Sequence, residues 1–417
     1  MIKDIFFNNL SQGLQFGSRW VLNVTLIVIL DIETFAVFSF VYSLSNILLS
    51  VLPFGSPVFL IAQVDGTKKG IKTLLESIIV ATTLFTLVIS LYIGLTPFLS
   101  YIKGWSFSGY GIILSYLLSL NLMVFSYFKG LGNFKKELYS YIIFSSLLLL
   151  FTAYAFFVLN TIINVSYIFL VLIVLNIIVL LYAILSSELK SGFIEHIRNF
   201  KNSTFNFKNM FQCRLYFGLQ EIVTAIYSQA GLLVLFYILN EQIYGYYRAL
   251  FVVVAPVFMI TTAISQVVLK HLKTSNDKMK IFRKIQRYTL LLGVLLCLVI
   301  LLFRSSVLSF IQIEETSITK IAFYIIIVIT LLRFIFANYE MLLVDLDKQR
   351  QRFLVQLLAA FVSLTSIFLL LPRYGLVGAV STNMLSYLVV SVGLIWISEK
   401  YLKAAKRSND HSSETKF

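Results

Sequence analysis

The chain has 417 residues, 59% of them hydrophobic and only 13% charged, with a mean hydropathy of +0.89. A water-soluble domain could not cover so much apolar surface, so lipid is the indicated solvent and membrane lipids the first partners. The net charge of +15 would suggest nucleic acid in a soluble protein; here the basic residues sit in short loops between apolar runs, where they set topology and attract anionic headgroups, and nucleic acid is excluded as a partner.

Crossing a hydrocarbon core takes about 20 apolar residues as a helix. Such runs occupy 10–30, 35–62, 73–95, 109–128, 138–159, 165–187, 215–239, 244–269, 286–303, 318–343, 353–371 and 376–397. Of the 34 Lys and Arg, 27 lie in the loops after even-numbered runs or at the two ends of the chain. Retention of Lys and Arg on the cytoplasmic side then puts both termini inside. The start of the chain is short and weakly charged, and Arg19 interrupts its first apolar run with no small-residue cleavage site behind it, so a removable signal peptide is not expected.

Adding 209 to the limits of the first six runs lands near the last six, so the chain is expected to be two copies of a six-helix unit, 1–187 and 213–399, joined by a basic linker at 188–212 and followed by a cytoplasmic tail at 400–417. The clearest local match aligns Asp31-Ile32-Glu33-Thr34-Phe35 with Asn240-Glu241-Gln242-Ile243-Tyr244. Six is even, so both copies enter the membrane in the same sense, the parallel-repeat arrangement found in some transporters.

Seven basic residues escape the loop rule. Lys103, Arg304, Lys320 and Arg373 fall in or beside outer loops, leaving Arg19, Arg248 and Arg333 inside helices. An arginine at mid-membrane costs at least about 2.5 kcal/mol, so each needs a partner or a ligand. Gln12, Gln15, Arg19 and Asn23 form one stripe on the first helix, and Gly218, Glu221, Thr224 and Ser228 form one on the seventh. Two readings stay open for the arginines. They are internal struts, Arg19 with Glu221 and Arg333 with Glu340, with Arg248 snorkelling to the surface; or Arg19, Arg248 and Arg333, with Gln12, Gln15 and Asn23, bind an anionic group such as a phosphate. Pro53, Gly55 and Pro57 should bend the second helix and Pro256 the eighth, positions suited to gating. Cys213 and Cys297 do not suggest an outer disulfide, and with no Cys/His cluster no metal is expected.

Three segments carry a resemblance: the Asp31-Ile32-Glu33-Thr34-Phe35 turn, Lys129-Gly130-Leu131-Gly132-Asn133, and Leu371-Pro372-Arg373-Tyr374-Gly375-Leu376-Val377-Gly378-Ala379. With its twelve-helix plan the chain resembles the Wzx-type O-antigen and capsule flippases of the multidrug/oligosaccharidyl-lipid/polysaccharide (MOP) exporter superfamily. It departs from them at Ala36, where the family's first turn has glycine; Gly245 keeps it in the repeat. The resemblance implies an all-α polytopic membrane protein with two six-helix lobes, a MATE/MOP-like fold and a central cationic cavity. It also implies alternating-access transfer of an undecaprenyl-diphosphate-linked oligosaccharide to the outer leaflet of a bacterial cytoplasmic membrane, without a cofactor. A coupling ion, H+ or Na+, would find its main acidic candidate in Glu221, and a glycan polymerase would be a natural partner. Within the same superfamily the alternative is a multidrug antiporter, which an acidic cavity rather than a basic one would favour. A membrane glycan polymerase is a weaker alternative, because no carboxylate pair, activated nucleophile or long outer loop is present, and no enzymatic activity is expected.

Overall fold

The computed structural model describes residues 2–64, 67–101, 104–158, 164–185, 189, 207–225, 231–274, 278–346 and 348–414. Most of the expected 188–212 linker, Lys103, Ser228 and the side chain of Thr224 lie outside them. Among the described residues the fold is helical without strands: α1 (Ile2–Ile29), α2 (Ile32–Val51), α3 (Ser56–Gln63), α4 (Thr67–Leu99), α5 (Trp105–Gly130), α6 (Phe134–Phe157), α7 (Val165–Leu185), α8 (Phe207–Ala225), α9 (Gly231–Ile238), α10 (Glu241–Thr274), α11 (Lys278–Leu302), α12 (Arg304–Phe310), α13 (Ser317–Asp345) and α14 (Gln349–Glu414).

Nine of these are long and apolar enough to cross a membrane, among the described residues. One of the nine, α14, serves as two crossings. Its 66 residues would extend about 100 Å if straight, roughly three times a hydrocarbon core, but Gly375 leaves helical geometry at φ 51°, ψ −122°. Beyond that point the chain folds back, so that Gln351 donates to the Tyr401 hydroxyl at 3.2 Å and Lys348 lies 4.6 Å from the Tyr401 ring centroid. The expected first and seventh crossings are α1, whose polar stripe lowers its hydropathy, and the pair α8 and α9. The result is a multi-pass membrane protein of the all-α class expected from the sequence.

Packing contacts divide the chain into two compact units, Met1–Gly245 and Tyr246–Phe417. In the first, α5 is the axis, packing on α2, α3, α4 and α7. Small residues let it approach closely: a Cβ on Gly111 would stand 2.9 Å from Val41 Cγ1, and Ser45 Oγ donates to both the Val41 and Gly111 carbonyls at 3.0 Å. Such contacts suit a lipid solvent, where apolar side chains gain little by leaving their surroundings and close backbone approach is what binds helices. Ser18 and Ser145 tie α1 to α6, with Ser145 also donating to the Leu14 carbonyl at 3.0 Å.

In the second unit a buried polar lock joins α11 to α13: Asn338 donates to Gln286 at 2.7 Å and Thr289 at 3.0 Å, and Gln286 donates to the Ile335 carbonyl at 3.0 Å. The 209-residue offset is visible in the caps. Asp31 accepts from the Thr34 N–H at 2.9 Å to start α2, and Asn240 accepts from the Ile243 N–H at 2.8 Å to start α10.

Gly378 is needed at the α14 hairpin because a Cβ there would meet the Leu370 carbonyl oxygen at 2.4 Å. Gly378→Ala is expected to destabilise the detergent-purified protein by about 1–3 kcal/mol, read as a lower melting temperature. Gly94→Ala, which would meet nothing within 4 Å, should leave that temperature unchanged.

Candidate functional site: a broken helix and three intramembrane arginines

Pro53, Gly55 and Pro57 do more than bend the second crossing. They break it: α2 ends at Val51, Leu52–Gly55 form turns with Phe54 at φ 45° and Gly55 at φ 70°, and Pro57 opens α3. A break at membrane depth exposes backbone groups that lipid cannot satisfy. One face of α8, carrying Phe211, Arg214, Gly218 and Glu221 at helical spacing, covers it. Glu221 Oε2 accepts the Gly55 N–H at 3.1 Å. A Cβ on Gly55 would sit 2.4 Å from Phe217 Cβ and 2.6 Å from the Gly218 nitrogen, and a Cβ on Gly218 would enter the Phe54 ring at 2.8 Å. Phe54 packs on Phe211, with ring centroids 5.4 Å apart.

Arg214 completes this contact. Counted by sequence as a loop cation, it is 1% exposed. Its guanidinium lies 4.4 Å from the centroid of the Phe59 ring of α3, donates to Ser77 Oγ of α4 at 3.2 Å and to the Met210 carbonyl at 2.7 Å, and stands 3.9 Å from the Glu76 carboxylate. The α8 stripe therefore extends one turn further toward the helix start than Gly218 and Glu221 alone suggest, and Arg214 pins α8 to both segments downstream of the break. Spacing alone, 214 to 218 to 221, held the signal. Pro256, the other gating expectation, sits inside an uninterrupted α10.

The α1 stripe faces the interior of its own unit. Gln15 and Arg19 line an enclosed chamber of about 30 Å³ together with Asn121, Tyr141, Phe144 and Asn176. The Arg19 guanidinium lies 5.5 Å from the Phe144 ring centroid. Asn23 is turned back onto its own helix, donating to the Arg19 carbonyl at 2.7 Å, and Gln12 is half-buried. Asn121 donates to the Asn176 carbonyl at 3.1 Å, while its buried Oδ1 has no hydrogen-bond partner. A water occupies about 10–15 Å³ on this measure, so the chamber is sized for water and in this conformation does not admit a diphosphate. The strut expected between Arg19 and Glu221 is absent, because Glu221 meets the Gly55 backbone.

In the second unit, Arg248 is half-buried, its Nε buried with no hydrogen-bond partner. The Arg333 guanidinium lies 5.1 Å from the centroid of the Phe336 ring, which meets Tyr387 edge-on at 5.5 Å. Tyr387 lies one turn beyond Asn383 on α14, and Asn383 donates to the Tyr247 hydroxyl. Glu340, the other expected strut, is held instead by Gln356 at 3.1 Å and Arg352 at 3.7 Å. An arginine, two phenols and an amide on neighbouring helices suit an oxyanion; Tyr247, Asn383 and Tyr387 were hidden in the sequence because uncharged residues in an apolar run carry no topological signal. No group of three or more His, Cys, Asp or Glu among the described residues could hold a metal ion, and both cysteines are free thiols.

The Gly55 to Glu221 contact has a graded test. Glu221→Leu removes the acceptor and should cost about 1–3 kcal/mol of stability, whereas Glu221→Gln keeps an acceptor oxygen and should retain most of it. Thermal unfolding of the two purified variants separates these outcomes.

No protein-family model matches the chain, and no curated protein matches it by sequence. Solved structures do. An inward-facing multidrug resistance MATE family transporter of the MOP superfamily aligns with a TM-score of 0.69 at 13% identity, covering 95% of this chain and 96% of that one. The lipid II flippase MurJ, in an inward closed conformation, aligns with a TM-score of 0.69 at 14% identity over 94% and 87% of the two chains. A MOP superfamily transporter from Pyrococcus furiosus, noted for the reverse polarity of its binding pocket, aligns with a TM-score of 0.65 at 11% identity over 97% and 96%. The chain has the MATE/MOP transporter fold.

Proposed function

We propose that the protein is a flippase of the Wzx type, moving an undecaprenyl-diphosphate-linked oligosaccharide, an O-antigen or capsule repeat unit, from the inner to the outer leaflet of a bacterial cytoplasmic membrane by alternating access. Fold alone does not choose between this and drug export, because both kinds of transporter share it. Charge favours the flippase. The observation that carries the reading is that Arg19, on the helix expected as the first crossing, and Arg248, on a helix long and apolar enough to cross a membrane, form no ion pair with a described carboxylate, while Glu221 and Glu340 are engaged elsewhere.

Uncompensated guanidinium in a low-dielectric setting attracts anions and repels the cationic amphiphiles expected of a multidrug antiporter. Arg248 and Arg333 are the diphosphate-binding residues in this reading, with Phe336 and Tyr387 next to Arg333. Arg19 contributes its positive field from inside its own bundle. The Gly55 break, held by Glu221, is the gating element, and Glu221 is the residue through which H+ or Na+ would couple. A glycan polymerase working on the outer leaflet would receive the product.

Reconstituted into liposomes with a fluorescent polyprenyl-diphosphate trisaccharide, the wild-type protein should move the lipid between leaflets, and Arg333→Ala and Arg248→Ala should slow it about tenfold or more, the loss of one charge-assisted contact each. Arg333→Lys should recover part of the rate. Unimpaired flipping by both alanine variants would reject the phosphate assignment.

A further inference from the structure

At one end of the first unit the turn before α2, the segment after α4 and the turn before α10 enclose two adjoining hollows of about 700 and 430 Å³, which share Glu33, Tyr101 and Glu241. These turns lie opposite the basic loops, on the outer side in the topology proposed above. The hollows fall in the range of small-molecule sites, about 300–1,000 Å³.

Their chemistry differs from that of the intramembrane arginines. Carboxylates of Asp31, Glu33 and Glu241 line them, and no described Lys or Arg does. The acids are spread around the walls instead of converging on a point, consistent with the lack of any metal-holding group among the described residues. Two tyrosine rings stand among the acids, Tyr101 80% exposed and Tyr237 45% exposed. Asn240 and Gln242 add amides. Asp31 and Asn240 are rigid, because each caps the helix that follows it, at 2.9 and 2.8 Å. The two capping turns are repeat equivalents, 209 residues apart, so the hollow is built from the same element of both halves of the sequence.

The open Tyr101 ring, with Tyr237 held beside it by Phe40 and Phe236, and the dispersed acceptors match a ring that has C–H on its faces and hydroxyl or ammonium groups on its edge, which is a sugar. We infer that this hollow binds the glycan of the transported lipid and selects for amino or neutral sugars over uronic acids, a selectivity that rests on the flippase reading. It separates the two ends of the substrate: guanidinium for the diphosphate, carboxylate and phenol for the sugar.

Full-length protein in nanodiscs, studied by saturation-transfer difference NMR, provides the test, with a trimer of β-linked glucosamine and trigalacturonate as probes. The glucosamine trimer should show transfer and trigalacturonate at least about fivefold less, since like charges across a binding surface repel. Tyr101→Ala and the Glu33→Gln, Glu241→Gln double variant should abolish the transfer, and Arg333→Ala should leave it unchanged. Equal transfer to both probes, or transfer untouched by the hollow variants, overturns the inference. If wild type binds the trimer but does not flip the lipid, the flippase reading fails and the sugar site stands; if it flips but does not bind, only the sugar site fails.

Discussion

Hydrocarbon offers no hydrogen bonds, so every backbone group released by a broken helix and every charge carried into the membrane must be answered by the protein itself. The Gly55 N–H is the sharpest instance. Two left-handed residues, Phe54 and Gly55, interrupt the second crossing, and the carboxylate of Glu221 supplies the acceptor that the missing helical turn cannot. That bond dictates what α8 can be. It needs glycine at 218 to come close and an acid one turn later. The buried Arg214, bonded to Ser77 and stacked on Phe59, fixes its other end. A break held by side chains of a different helix can be released without unfolding either helix, which suits the alternating access proposed above.

The same constraint governs the arginines, with a different result in each setting. Arg214 meets a hydroxyl, a carbonyl, a carboxylate and a ring, with only its Nε left without a hydrogen-bond partner, and behaves as structure. Arg19 lies against Phe144 and lines a water-sized chamber. Arg333 lies against Phe336, which meets Tyr387 edge-on, and one turn from Tyr387 the Asn383 amide donates to the Tyr247 hydroxyl. The hollow by the turns before α2 and α10 is lined by the carboxylates of Asp31, Glu33 and Glu241, and among its described lining residues there is no Lys or Arg.

The all-helical membrane fold and the hairpin at Gly375 were legible because each rests on a pattern of many residues: long apolar runs, and a proline followed by glycines. The equivalence of Asp31 and Asn240 was legible too, since a capping residue is a local chemical choice. What the sequence hid was pairing. Arg19 and Glu221 looked like partners because both are rare charges on polar stripes, yet stripe direction is fixed by packing, and packing turns Glu221 to the Gly55 break and Arg19 toward Phe144. Arg214 was masked by its neighbours, a run of loop cations that made it look ordinary. Asn383 and Tyr387 gave no signal, because neutral polar residues in an apolar helix are common.

Recognition of the diphosphate is the claim on which the functional account turns, and native mass spectrometry of the purified protein measures it directly. Offered equal amounts of undecaprenyl diphosphate and undecaprenol, which differ only in the anionic group, the protein should retain the diphosphate and release the alcohol, with retention lost in Arg333→Ala. Equal retention of the two lipids, or displacement of both by a cationic amphiphile, would contradict the account.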